Sequence, residues 1–136
     1  MSIEMFATKL VVRDVEEAER FYRAVGLKLV SRNVGGEDEV RQEQCWLSGS
    51  GDAGTHILIL SRFLELAPAP QPVYPNEVWL ILRVSDVDAT LEAVEAAGGR
   101  IVRPGQDRPE HAVRAAVVSD PEGHIIEVVG PMSASI

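Results

Sequence analysis

The sequence predicts an α+β fold built from two βαβββ modules, and three observations carry that expectation. Residues 7–30, ATKLVVRDVEEAERFYRAVGLKLV, align without a gap with residues 79–102, WLILRVSDVDATLEAVEAAGGRIV, at a constant offset of 72. An internal repeat of that length marks two copies of one supersecondary unit. Each copy also sets an aspartate, Asp14 or Asp86, between an apolar run and a helical pattern, where its carboxylate caps the open amides of the first turn. Finally, Gly26 and Gly98 follow the two helical patterns and supply the left-handed stop.

The elements follow in order. Phe6 to Val12 predicts a strand, and Val15 to Val25 a helix whose apolar face is Val15, Ala18, Phe21, Tyr22 and Val25. Glu17, three residues after Asp14, completes an acidic variant of the capping box. Leu27 to Asn33 predicts a second strand, and Gly35 to Asp38 a turn. VRQEQCWLS alternates as a half-buried strand, and His56 to Leu60 is a continuous apolar run typical of a buried one. Residues 67–76, APAPQPVYPN, carry four prolines and predict a semi-rigid extended connection. The second copy predicts strands at Val78 to Val84, Arg100 to Arg103, Ala112 to Ser119 and in IIEVVG, a helix from Val87 to Ala97, a loop at PGQDRPE and a tight turn at Asp120 to Gly123. PMSASI is expected to fray. Module 1 thus covers about residues 5–66 and module 2 about 77–130 of one domain, with eight strands in a curved sheet system and the helices outside.

Composition narrows the function. Hydrophobic residues make up 46% and charged residues 25% of the 136, ordinary for a globular chain with a core of its own. The net charge of -8, with Lys and Arg scattered, argues against nucleic acid or anionic membrane as partner, since phosphate neutralisation needs a basic face. No apolar run nears the roughly 20 residues a transmembrane helix needs, and MSIEMFATK lacks a signal-peptide pattern. The single cysteine, Cys45, excludes an internal disulfide and fits a reducing cytoplasm.

The repeat, VVRDVEEAERFYRAVGLKLV with its capping aspartate and Phe-Tyr pair, and SDPEGHIIEVVG near the end together resemble the vicinal oxygen chelate superfamily. That group includes glyoxalase I, bleomycin and fosfomycin resistance proteins and extradiol dioxygenases. The resemblance covers residues 5–130 and implies a cup lined by the concave faces of both modules, with a small ligand inside. In the metalloenzymes of the group, four side chains hold one divalent metal. One lies seven residues before each capping aspartate, and one lies centrally on the last strand of each module. The matching positions here are Ala7, Trp79, Leu58 (or Ile59 if the gap shifts by one) and Glu127, of which only Glu127 carries a donor. The resemblance therefore implies no metal or other cofactor, with a divalent metal kept as the alternative. His56, His111 and His124 sit at or near strand starts, where a histidine is expected to be solvated.

Strand alternation names the cup-facing side chains: Ala7, Lys9 and Val11; Trp79, Ile81 and Arg83; Ile125, Glu127 and Val129. Lys9 or Arg83 is expected to pair with Glu127 or to recognise an acidic group on a ligand. Trp79 offers an apolar plate for a flat ligand, and Trp46, Gln42 and Gln44 line the same mouth if their parity is inward. Phe21 and Tyr22 are expected in the core, and Cys45 has no neighbour that would activate it. The expected function is metal-free binding of a small organic molecule, of the sequestration or resistance type, by a cytoplasmic homodimer. The alternative is an enzyme: a metal-dependent lyase, isomerase or dioxygenase, or a metal-free catalyst with Glu127 as the catalytic base.

Overall fold

A computed structural model describes residues 1–133, so the last three residues of the PMSASI segment lie outside the described residues. The chain divides into two units, residues 1–70 and 71–136, and the boundary falls inside the proline-rich stretch. Each unit is a four-stranded mixed sheet with one helix on one face.

In the first unit the order of elements is β1 (Ala7–Val11), α1 (Val15–Ala24), β2 (Lys28–Gly35), β3 (Gln42–Ser48) and β4 (Ile57–Phe63). The sheet runs β1-β4-β3-β2, with β1 and β4 parallel and the other pairs antiparallel. Asp14 caps α1 as expected, its Oδ1 accepting from the Glu17 amide at 2.9 Å. Gly26 follows at φ +122°, a conformation L-residues avoid. Phe21 and Tyr22 are fully buried and meet edge to face at 5.0 Å, packing α1 onto the face formed by Leu10, Leu60, Leu47 and Cys45.

The second unit repeats the plan: β5 (Trp79–Arg83), α2 (Val87–Ala96), β6 (Arg100–Arg108), β7 (Val113–Ser119) and β8 (Ile125–Gly130), in the order β5-β8-β7-β6. Strand β1 and helix α1 superpose in number on β5 and α2 at the 72-residue offset seen in the sequence. Asp86 Oδ1 accepts from the Ala89 amide at 3.0 Å, and Val87, Leu91 and Val94 bury the helix on Ala116, Val118, Ile126 and Val128. The Asp120–Gly123 turn closes through the Gly123 amide on Asp120 O at 3.0 Å.

One element differs in kind from expectation. PGQDRPE is not a loop: β6 runs through Pro104 and Gly105 to Arg108, and a single 3-10 turn at Pro109–His111 leads into β7. Proline is admissible there because β6 is an edge strand and bulged, with its register shifting between Arg103 and Gln106. At Gly105 an added Cβ would come within 2.9 Å of the Arg114 guanidinium, which would have to move aside. The tail is also tied down at Ser133, whose amide donates to Asp107 Oδ1 at 3.0 Å.

Beneath α1, Glu19 joins helix to sheet. Its carboxylate accepts from Arg32 at 2.8 and 2.6 Å, from Arg23 at 3.2 Å and from the Cys45 thiol at 3.3 Å. The Arg32 hydrogen bond, aided by Cys45 and Arg23, outweighs burial and lowers the Glu19 pKa from 4.5 to about 2. A carboxyl depressed by folding adds stability that is complete above its unfolded value and is lost as pH falls through the folded one. Glu19→Gln is therefore expected to cost about 2 kcal/mol near neutral pH, less than the full shift because Arg32 is largely exposed. Urea titrations should find that cost shrinking between pH 4.5 and about 2; a cost independent of pH contradicts this role.

Candidate functional site

Side chains opposite one another on paired strands share a face, so the ladders assign every candidate residue. In the first unit, Ala7 pairs with Ile57, Lys9 with Ile59 and Val11 with Ser61 along β1 and β4. Gln42, Gln44 and Trp46 of β3 oppose Phe63, Ser61 and Ile59, so all of these lie on the face away from α1. The inward parity left open for Trp46 is thereby settled. Its indole N–H donates to Gln44 Oε1 at 2.8 Å, and its ring stands edge-on to Phe6 at 6.0 Å.

Lys9 has a different partner from the one expected. Its ammonium donates to Gln42 Oε1 at 2.5 Å, and the same oxygen accepts from Ser61 Oγ at 2.5 Å while Gln42 Nε2 donates to Val40 O. A buried amide thus spends its acceptor on two donors of its own sheet.

In the second unit, Trp79 pairs with Ile125, Ile81 with Glu127 and Arg83 with Val129 on the helix-free face. Trp79 is half-buried, with its indole N–H donating to Pro75 O and its ring tilted 33° against Tyr74 at 5.9 Å. The plate is therefore held by the proline-rich stretch. Arg83 and Glu127 are diagonal neighbours across the β5–β8 ladder, yet among the described residues neither forms an ion pair or side-chain hydrogen bond. Glu127 instead faces a hollow of about 580 Å³ floored by Val113, Ala115, Val117 and Val129 and rimmed by Arg103, Gln106, Arg108, Glu110 and His111.

The ladders also correct one metal position. Lys9 and Ile81 are repeat equivalents, and they pair with Ile59 and Glu127 respectively. Ile59 is thus the counterpart of Glu127. Leu58 pairs with Thr8 and Leu47 and lies on the helix side. The four positions hold Ala7, Ile59, Trp79 and Glu127, none in the first unit and one in the second bearing a donor. No cluster of three or more His, Cys, Asp or Glu side chains able to hold a metal occurs among the described residues. This donor set does not fit a divalent ion.

The histidines divide. His56 is exposed and bonded through its ring nitrogens to Thr8 Oγ1 at 2.9 Å and Met5 O at 3.1 Å. His111 is exposed at the rim of the hollow. His124, expected in solvent, is buried: its Nδ1 lies 2.8 Å from Asp120 Oδ2, while Asp120 Oδ1 accepts the His124 and Glu122 amides at 2.9 Å. This bracket shapes the β7–β8 turn.

A larger hollow of about 880 Å³ lies on the helix side of the first unit, but its charges serve each other, Glu19 with Arg32 and Glu43 with Arg62. Sequence reasoning missed Gln106 and Arg108 because PGQDRPE is expected to be a loop, and it gave Arg103 no face because the expected strand ends there. The signal available was its alternation once Pro104 and Gly105 are allowed as a bulge.

With fold and site in hand, comparison with known proteins identifies the class. The sequence model described as Glyoxalase/Bleomycin resistance protein/Dioxygenase superfamily matches residues 3–128, and the chain belongs to that superfamily. A probable lactoylglutathione lyase of Vibrio parahaemolyticus is 27% identical over 94% of this chain and 91% of its own. A putative glyoxylase, CFP32, of Mycobacterium tuberculosis is 40% identical over 62 residues, 46% of this chain and 23% of that protein, so the match spans about a quarter of that relative's length. A glyoxalase family protein from Bacillus cereus has the same fold at TM-score 0.82, with 20% identity and 98% and 97% of the two chains covered.

Cys45 is buried, and burial together with the bond to Glu19 pushes its thiol up to about 12. Iodoacetamide is expected to leave it unlabelled in the native protein and to label it in urea, as read by intact mass; native labelling at an equal rate contradicts the packing described.

Proposed function

We propose that this chain binds a small organic molecule over the helix-free face of its second unit, without a resident metal ion. The carrying observation is the hollow of about 580 Å³ in front of Glu127, a volume in the range of small-molecule sites, with an apolar floor and a few polar side chains at its edge. The metal-free part is supported by the register: Ala7, Ile59 and Trp79 offer a cation nothing, and Glu127 alone falls short of the several donors a divalent ion requires. Trp79 lies on the strand next to Glu127, two residues and about 7 Å from its cross-strand partner Ile81, close enough to report on an occupant.

A second reading is favoured by one observation. Glu127 faces the hollow with no side-chain partner among the described residues, as a general base would. The Vibrio relative's printed name makes lactoylglutathione formation the activity to assay.

We further propose a homodimer in the cytoplasm. Support comes from the single buried thiol and from apolar side chains such as Val34, 56% exposed on the edge strand β2. In the described residues no helix is long and apolar enough to cross a membrane.

The test is tryptophan fluorescence against a panel of aromatic metabolites, with Trp46→Phe and Trp79→Phe separating the two indoles. At least one compound is expected to quench the Trp79 signal, and to do so still in Trp46→Phe. Silence across the panel, with no rise in Tm, contradicts the binding reading. Glu127→Gln is expected to leave binding intact; loss of lactoylglutathione formation in that variant, from a measurable wild-type rate, would instead establish the base.

A further inference from the structure

We infer that the second unit recognises an organic anion, a flat apolar body bearing a carboxylate, through Arg103 and Arg108. The inference rests on the binding reading above and adds the charge of the ligand and the side chains that select it.

The two units are copies, and their outer strands differ in one respect. Each has a first register shift at repeat-equivalent places, Leu29/Ser31 in β2 and Ile101/Arg103 in β6. Only β6 has a second, between Arg103 and Gln106, where Pro104 and Gly105 occupy the bulge. Before it Arg103 opposes Val117, and after it Gln106 opposes Ala115 and Arg108 opposes Val113, all on the face that carries Glu127. The corresponding places in the first unit are Ser31, Asn33 and Gly35, opposite Trp46, Gln44 and Gln42. A substitution at the first place, Ser31 to its equivalent Arg103, and one extra residue ahead of the other two together turn a neutral row into arginine, glutamine, arginine. Bulges re-aim side chains in this way beside functional sites.

The arginines of the chain are sorted by face. Arg32, Arg62 and Arg114, on the helix sides, are all held in ion pairs, Arg114 with both Asp88 and Asp107. Among the described residues Arg103 and Arg108 are in none, although the chain has 21 acidic side chains with which to neutralise them. Two unpaired guanidiniums over an apolar floor match a carboxylate on an apolar body, because guanidinium binds carboxylate by a two-pronged hydrogen bond. Glu127 and Glu110 share the hollow, so they set the polarity of the fit. Glu127 lies two strands from Arg103, about 10 Å, and would take a hydroxyl or ammonium at the far end of the ligand.

Three probes share one ring system: 1-naphthoate, 1-naphthylmethanol and 1-naphthylmethylammonium, titrated into the full chain by calorimetry at low salt. Naphthoate is expected to bind about tenfold more tightly than either of the others, and Arg103→Gln and Arg108→Gln each to weaken it about tenfold. Arg32→Gln, on the helix side, should lower stability through loss of the Glu19 ion pair but leave the affinity for naphthoate unchanged, and circular dichroism checks that the variants fold. Tighter binding of the ammonium overturns the inference while leaving the binding reading intact. Failure of all three probes overturns the inference, whereas the binding reading falls only with silence across the aromatic panel. Naphthoate binding indifferent to the two arginines, or matched by inorganic phosphate alone, overturns the inference. So does a change of oligomeric state in the arginine variants with unchanged affinity, since the face would then be a contact between copies.

Discussion

Two parallel strand pairs, β1 on β4 and β5 on β8, are the constraint on which the remaining structure depends. A side chain on a strand points to one face or the other, so a slip of one residue would exchange the buried set for the exposed set along the whole strand. Burial forbids the slip here. Leu10 and Leu60 in the first unit, and Ile126 and Val128 in the second, are apolar and packed under a helix. Immediately downstream of β1 and β5, Asp14 and Asp86 fix where each helix begins, their carboxylates holding the amides three residues on. Strand register and helix start are thus set within a few residues of one another, twice. Everything that faces away from the helices follows from that.

Much of this architecture was legible. The repeat could be read from letters alone because a capped helix after an apolar strand has a signature that survives divergence: aspartate, a helical stripe, then glycine. Phe21 and Tyr22 were visible as core for the same reason, lying on the stripe. The site was less legible. Parity on β3 cannot be read from QEQCWLS, whose polar and apolar members do not alternate cleanly, and only pairing with β4 shows that Cys45 is covered and Trp46 is not. The one-residue ambiguity between Leu58 and Ile59 has the same origin, since in a run of apolar residues both faces look alike. His124 was misjudged because its partner Asp120 appeared to be ordinary turn chemistry. Pro104 and Gly105 concealed a strand because breakers are tolerated where an edge strand bulges, and edge position is a property of the sheet.

The two copies differ in how their helix-free faces are bonded. In the first, Lys9, Gln42 and Ser61 form a closed set of hydrogen bonds, Ile57 and Ile59 are buried, and Lys28 at the end of β2 is the other cation on the helix-free face of the strands. In the second, the same face keeps its polar groups uncommitted: Arg83, Arg103, Arg108 and Glu127 have no side-chain partner among the described residues. The three arginines are exposed to solvent and Glu127 is half-buried. These are the groups to which the proposed binding reading assigns recognition. Its tryptophan adds a rigid wall, braced by Tyr74 and the Pro75 carbonyl.

The central claim is that the register leaves a single donor where relatives with a metal have four, and metal stoichiometry tests it most directly. The full chain, expressed and purified without chelator, should contain well under one equivalent of any transition metal by elemental analysis. It should also take up no equivalent of zinc, nickel or manganese on titration. A bound metal at one per chain, released when Glu127 is changed to alanine, would contradict the account.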